Sequence, residues 1–344
     1  MSRAQPYSFG FSDSALAEAA GIPMDALHRD VDAICLAHDA IVPLARRLQV
    51  EPPRPCLGGF AYSHVSSLGA EVEFAAGSEP NVRPILRTPE DIDRLHEPDD
   101  YLACGVVPQR LRLLEELQKR RPGVGNYIGH LYEGPITTAV LLMGQDFLML
   151  PYDDPARAHR LLSFCTDSAL HYARALREHF GTQLEAGEVW IPDDFAGMLP
   201  PGLFDEFVLP YWERLYTGLL AAQRGLHSEL LREEHLPLLE KMKIALFDPS
   251  ADQYLTPEIC RRSCPVPFMR IILSWDIRDK TADELQSLYR HTASHEPALI
   301  SFCLSFLGMV QNMPFSGNKR QYTTDVRRGA RFCEGFAKYF KPLA

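Results

Sequence analysis

Long hydrophobic runs are missing from this chain of 344 residues: the longest, PALISFCLSFLGMV at 297–310, has 14, short of the ~20 that a membrane-spanning helix needs. No charged-then-apolar leader opens the sequence, and a cytoplasmic protein is the expectation. Clustered positive charge is missing too. Asp and Glu number 45 against 35 Lys and Arg, and RRGAR (327–331) is an ordinary basic helix turn. The basic face that nucleic acid or an anionic membrane would require is therefore not encoded. The eight cysteines (35, 56, 104, 165, 260, 264, 303, 333) show no regular pairing, which argues for reduced thiols over a disulfide framework. Cys260 and Cys264, in EICRRSC, stand i,i+4, but the segment ends at Pro265 and no second pair is near; a helix C-terminus is expected there, not a metal pair. No Gly-x-Gly-x-x-Gly opens a helix after the first strand, so a dinucleotide fold is the weaker reading, and no internal repeat is visible.

What is present is alternation. After a polar lead, MDALHRDVDAICLAHDAIVPLARRL places Leu27, Val31, Ile34, Ile41, Leu44 and Leu48 at helical spacing, which predicts an N-terminal helical extension over 1–50. Pro52, Pro53 and Pro55 end it before CLGGFAY, the approach to a first strand. From 51 to 344 short apolar runs alternate with amphipathic helices. The spacing predicts helices over 107–121, 155–180, 201–225, 234–242 and 282–293, and strands over 124–129, 188–193, 226–230, 243–249, 268–275 and 298–304. Such alternation implies parallel strands with helices outside, and its economical closed form is a single (β/α)₈ TIM barrel.

Residues 127–155, YIGHLYEGPITTAVLLMGQDFLMLPYDDP, read as a strand that breaks at Gly134-Pro135 into a helix ending at Pro151. This unit resembles the uroporphyrinogen decarboxylase and corrinoid-dependent zinc methyltransferase superfamily. There, a strand ends in Gly-Pro-hydrophobic and a helix follows with Gly-x-(Glu/Asp) near its end. SSLGAEVEF (66–74) with RTPEDIDRLHEPD (87–99), IPDDFAGMLPPGLFDEFVLPYWERL (191–215) and NMPFSG (312–317) fall in that family's order. The resemblance covers about residues 55–340.

In such barrels the reacting groups sit where strands end and helices begin. Asp193 and Asp194 follow the apolar EVWIP run, so both are candidate catalytic groups; the alternative is a helix cap or an Arg partner. His227 and Glu229 stand two apart in LHSEL. On one strand they would point the same way and offer an imidazole and a carboxylate to one point. The resemblance implies His-x-Cys there and a Cys about eighty residues on; here Glu229 replaces the first Cys and Cys303 lies 76 residues after His227. His227, Glu229 and Cys303 are thus the candidate ligands of a zinc site, a chemically acceptable set. The alternative for Cys303 is a small buried core residue. Tyr62, His64, His130, Tyr132, Glu133, Trp190, Asp248 and Trp275 are candidate substrate-binding residues at the mouth, with Tyr127, Asp252 and Asp276 beside them. Rings with few charges suit a flat small molecule or a methylated cation.

The resemblance to true porphyrinogen decarboxylases implies an N-terminal Arg-rich loop and an Asp nine residues before the Leu-Gly of the first unit. This chain has Phe60 at that spacing from Gly69, and Arg54 is the one basic residue between Glu51 and Glu71. An octa-acid needs several cations, so the methyltransferase branch is expected. The implied activity is movement of a methyl group between a small methylated or methoxylated compound, the corrinoid of a partner protein and an acceptor. Two alternatives stay open: a metal-free decarboxylase or lyase acting on a non-porphyrin acid, and a non-catalytic barrel that binds a corrinoid protein. A homodimer is also left open.

Overall fold

The computed structural model describes residues 7–48, 50–59, 62–129 and 131–304. Its strands are β1 (Tyr7–Phe11), β2 (Glu71–Glu73), β3 (Asn81–Arg83), β4 (Gly187–Pro192), β5 (Ala221–His227), β6 (Leu246–Asp248), β7 (Met269–Ile272) and β8 (Leu299–Leu304). β2 and β3 pair antiparallel as a small hairpin. The other six run parallel in two sheets, β4-β5-β6 and β1-β8-β7, joined by the parallel bridge Phe247↔Phe268. Parallel strands need crossovers, and helices supply them: Leu209–Gly218 leads from β4 to β5, and Ala282–Ser294 from β7 to β8. The fold is α/β. Among the described residues no helix is long and apolar enough to cross a membrane.

Most of the expected helices appear, including Val107–Arg120, Pro155–His179 and Ala282–Ser294. Three differences bear on the site. First, the N-terminal segment is helical over Asp13–Ala20 and Val31–Leu48 but begins with a strand. Tyr7 to Phe11 lie in register with Ile300 to Leu304, and Phe9 stacks on Phe302 at 4.7 Å between centroids, so this segment also builds the sheet.

Second, 221–225 is strand, not the end of the expected 201–225 helix, which breaks at Val208 into Phe204–Phe207 and Leu209–Gly218. AAQRG has helix-forming composition, but sheet context overrides propensity: Arg224 leaves the sheet plane to pair with Glu213 and lie 5.0 Å over the Tyr216 ring. Third, the expected strand at 124–129 is irregular. Arg110, buried, donates from Nε to Ile128 O at 2.9 Å and from Nη2 to Gly58 O, so a guanidinium satisfies carbonyls that a ladder would otherwise pair. Gly129 is pressed so closely there that a Cβ would meet Gly59 O at 2.7 Å. The helix after Gly134 runs Pro135–Met143 and stops at Gly144, whose φ is +79°, earlier than Pro151.

Candidate active site

The C-terminal ends of β4, β5 and β6 are level: Pro192 pairs with His227, and His227 with Asp248. Alternation along β4 turns Glu188, Trp190 and Pro192 to one side, and with His227, Asp248 and Met269 they line a cavity of about 750 Å³. Trp190 has room for its indole because β5 offers Gly225 beneath it; a Cβ there would meet the ring at 2.3 Å. The indole N–H donates to Glu188 Oε1 at 2.7 Å.

The two adjacent aspartates face different surroundings. Asp193 is fully buried and does not line the cavity. Its Oδ1 accepts from Thr137 N at 2.7 Å, and its Oδ2 from Trp212 Nε1 at 2.7 Å and Ile136 N at 3.4 Å. It therefore caps the N-terminus of Pro135–Met143 from across the fold, satisfying amide donors that a helix start leaves orphaned. Gly134 makes this approach feasible, since a Cβ would lie 2.3 Å from the Asp193 carboxyl carbon. Burial raises the Asp193 carboxyl to about 6, the donors from Trp212 and Thr137 opposing it. The expectation that Asp193 is catalytic is corrected to a structural cap.

Asp194 does line the cavity, its side chain 35% exposed, and burial raises it to about 6 against the pull of His227. His227 lies between two carboxylates: Nδ1 is 3.0 Å from Asp248 Oδ2 and Nε2 is 3.5 Å from Asp194 Oδ1. Burial alone would lower its proton affinity, but the hydrogen bond to Asp248 and the charges of Asp194, Asp248 and Glu229 prevail and lift it to about 9. At neutral pH it is an imidazolium. Asp248 is itself oriented by Ser250 N, which donates to Oδ1 at 2.8 Å. Glu133, also on the cavity wall, is pushed up to about 8 by burial and then by Asp194 and Asp193, so it stands protonated at neutral pH. Tyr62 enters its short helix at φ 44°, ψ 40°, a left-handed conformation that costs a bulky residue roughly 1 kcal/mol or more. It too faces the cavity.

Of the remaining expected residues, Tyr132 lines the cavity. His64 does not belong to it. It is 1% exposed, with Nε2 3.0 Å from Ser168 Oγ, a core histidine that burial drives down to about 3. Trp275 is 40% exposed and outside the cavity. His130 lies outside the described residues.

The expected ligand set is not assembled. β5 ends at His227, so the period-two argument stops there; Glu229 lies beyond the strand, its N–H donating to Asp194 Oδ1 at 3.3 Å. Cys303 is on β8, separated from β5 by β6 and β7 in the strand order. The ligand atoms of His227, Glu229 and Cys303 do not come within 4.8 Å of one another. The sequence reading also missed Arg177 and Glu185, which line the cavity from the end of helix Pro155–His179 and the loop after it. No strand-end rule points to them.

Comparison with known proteins agrees with this framework. The profile of the family "Uroporphyrinogen decarboxylase (URO-D)" matches residues 62–257. A uroporphyrinogen decarboxylase of Nostoc punctiforme is 28% identical over 184 residues, 51% of this chain and 49% of that protein. One from Azotobacter vinelandii is 29% identical over 170 residues, 46% and 44% of the two. The chain thus matches about half the length of these curated relatives. Among solved structures, a methyltransferase from Methanosarcina mazei superposes with a TM-score of 0.65 at 15% identity, covering 96% of this chain and 95% of that one; this likeness is one of fold. With the profile spanning more than half of the residues, the chain belongs to the uroporphyrinogen decarboxylase (URO-D) family.

Proposed function

We propose that the cavity is the active site of a methyl-transferring enzyme that demethylates a small methoxylated or methylated compound, with His227 as general acid. In this reading the strands close as an eight-position barrel, in which the segments around Gly58-Gly59 and 131–134 take two strand positions. The close approach of Gly129 to Gly59 O and the bond from Gly134 N to Pro192 O at 2.5 Å support that closure.

The carrying observation is the imidazolium between Asp194 and Asp248 at the strand ends. Breaking a methyl–oxygen bond leaves an electron pair on oxygen, and His227 Nε2 neutralises it with a proton as the methyl carbon passes to the acceptor. Asp248 holds Nδ1–H and fixes which nitrogen faces the cavity. Asp194, an anion partly open to solvent, stabilises the imidazolium, and solvent returns the proton to Nε2 afterwards. Tyr62, Tyr132 and Trp190 offer ring faces to a flat donor. The acceptor that this reading calls for is the corrinoid of a partner protein. Zinc would do the work of the acid by polarising the same oxygen, but the described residues of the cavity do not fit it: no three of their ligand atoms are gathered, and both His227 nitrogens face carboxylates. The proton of His227 therefore carries the step in this reading.

A second reading rests on the same imidazolium together with the protonated Glu133. These groups would equally deliver a proton to the carbon left by departing CO₂, making a metal-free decarboxylase of a non-porphyrin acid.

The test is anoxic incubation of the protein with 2-methoxyphenol and free cob(I)alamin, following methylcobalamin by absorbance. His227→Gln should lower the rate roughly 10²–10⁴-fold, the usual worth of a positioned acid, and Asp194→Asn should lower it less. CO₂ release from an aromatic acid without methyl transfer would favour the second reading. Turnover unaffected by His227→Gln would remove the basis of both.

A further inference from the structure

A second cluster of donor groups lies away from the cavity. On helix Ala282–Ser294, His291 and the following cap residue His295 are i,i+4, so both rings project from one face; their centroids are 5.0 Å apart. Opposite them, helix Pro257–Ser263 presents Glu258 in its first turn, after the Thr256 cap and Pro257. Glu258 Oε1 is 2.7 Å from His291 Nε2 and 3.5 Å from His295 Nε2, and one ligand atom from each residue falls within 4.8 Å of the others. None of the three lines the cavity.

We propose that Glu258, His291 and His295 form a surface site for a zinc-type divalent ion. Two imidazole nitrogens and one carboxylate suit borderline ions such as Zn²⁺, Ni²⁺ or Cu²⁺, and not Mg²⁺ or Ca²⁺, which want oxygen. Around a tetrahedral ion with bonds of about 2.0–2.1 Å, neighbouring ligand atoms stand roughly 3.3 Å apart. The two separations from Glu258, 2.7 and 3.5 Å, bracket that value and the third pair lies within 4.8 Å, so rotamer adjustments would admit the ion, and a water would complete the fourth position. The helix that carries Glu258 is fixed at its start by the Thr256 cap, whose hydroxyl accepts from Ile259 N at 3.3 Å. Arg261, one turn on, pairs with Glu296, a second tie between the two helix ends that keeps the donors facing. The ion would clamp the helix before β7 to the helix after it, joining successive crossovers on the outer surface.

The experiment uses the full chain with any tag removed and with His227→Gln in the background, so that an ion in the cavity is not counted. Zn²⁺ titration of this protein should give one equivalent bound and a higher melting temperature. In the same background His291→Gln/His295→Gln, one change exposed and one half-buried, should weaken binding at least about tenfold, as loss of a ligand does, and abolish the melting shift. Cu²⁺ should broaden NMR signals of 257–263 and 282–295 selectively. The proposal fails if the His227→Gln protein binds no Zn²⁺, or if the equivalent survives the double histidine change.

Discussion

Replacing Asp248 by Asn removes the charge behind His227 while keeping the side chain's shape. The imidazole sits at about 9 against an ordinary 6.5; the difference, 9 − 6.5 = 2.5 decades of proton affinity, corresponds to about 3.4 kcal/mol at ~1.36 kcal/mol per decade. That is the net of the pull of Asp248, Asp194 and Glu229 over the opposing burial, and Asp248 supplies part of it. The side chains of His227 and Asp248 are 30% and 25% exposed, and solvent screening reduces such a pair, so about 1.5–2 kcal/mol is the expected loss. The folded-state value lies above the unfolded one, so the stabilisation is full below about pH 6.5, falls between 6.5 and 9, and is gone above 9. Asp248→Asn should therefore destabilise the protein by about 1.5–2 kcal/mol in urea unfolding at pH 6, and by much less at pH 9.5. Ring ¹⁵N NMR from pH 5 to 10 should show His227 titrating clearly below 9 in the variant, because only Asp194 and Glu229 then oppose burial. A titration that stays near 9, or a stability gap that is the same at both pH values, would refute the reasoning and detach Asp248 from the acid.

Glu133→Gln should stabilise the protein at pH 8.5 by about 1 kcal/mol or more, because a buried carboxyl held near 8 costs stability as pH rises from its unfolded value through its folded one; thermal melts at pH 5 and 8.5 should diverge in that sense. Gly134→Ala should cost about 1–3 kcal/mol by forcing Asp193 from its amide donors, read by urea unfolding. Uroporphyrinogen should yield no coproporphyrinogen, because Glu185, Glu188, Asp194 and Asp248 face the cavity against Arg177 and His227, a poor field for an octa-acid; product fluorescence checks this.

The readable parts of the sequence were those where chemistry compels a residue type. Gly134-Pro135 marks a helix start because a proline suits the first turn and because the Asp193 carboxyl leaves no room for a side chain at 134. β1 is legible in the alternation of Tyr7, Phe9 and Phe11, but so short a run beside a polar lead does not stand out from the helical spacing that follows it. β5 was hidden by its composition. AAQRG packs as strand through Arg224–Glu213 and the Trp190 ring over Gly225, contacts that no local pattern reports. Arg177 and Glu185 reach the cavity only through the placement of a 25-residue helix, and neither carries a local mark.

The Asp193-Asp194 pair shows how a strand end turns one dipeptide into two roles. Adjacent residues there diverge: Asp193 enters the fold, where three donors hold it, and Asp194 enters the cavity beside His227. The same break ends the period-two argument for a shared ligand point, because His227 is the last residue of β5 and Glu229 lies beyond it. Glu229 remains near enough to raise the charge on His227 without joining it at one point. The residue that takes up the ring's other nitrogen is Asp248, supplied by the neighbouring strand in register and not by the neighbouring position in sequence. A parallel sheet brings strand ends level, so the partner of a strand-end histidine is better sought at the end of the next strand than two residues on.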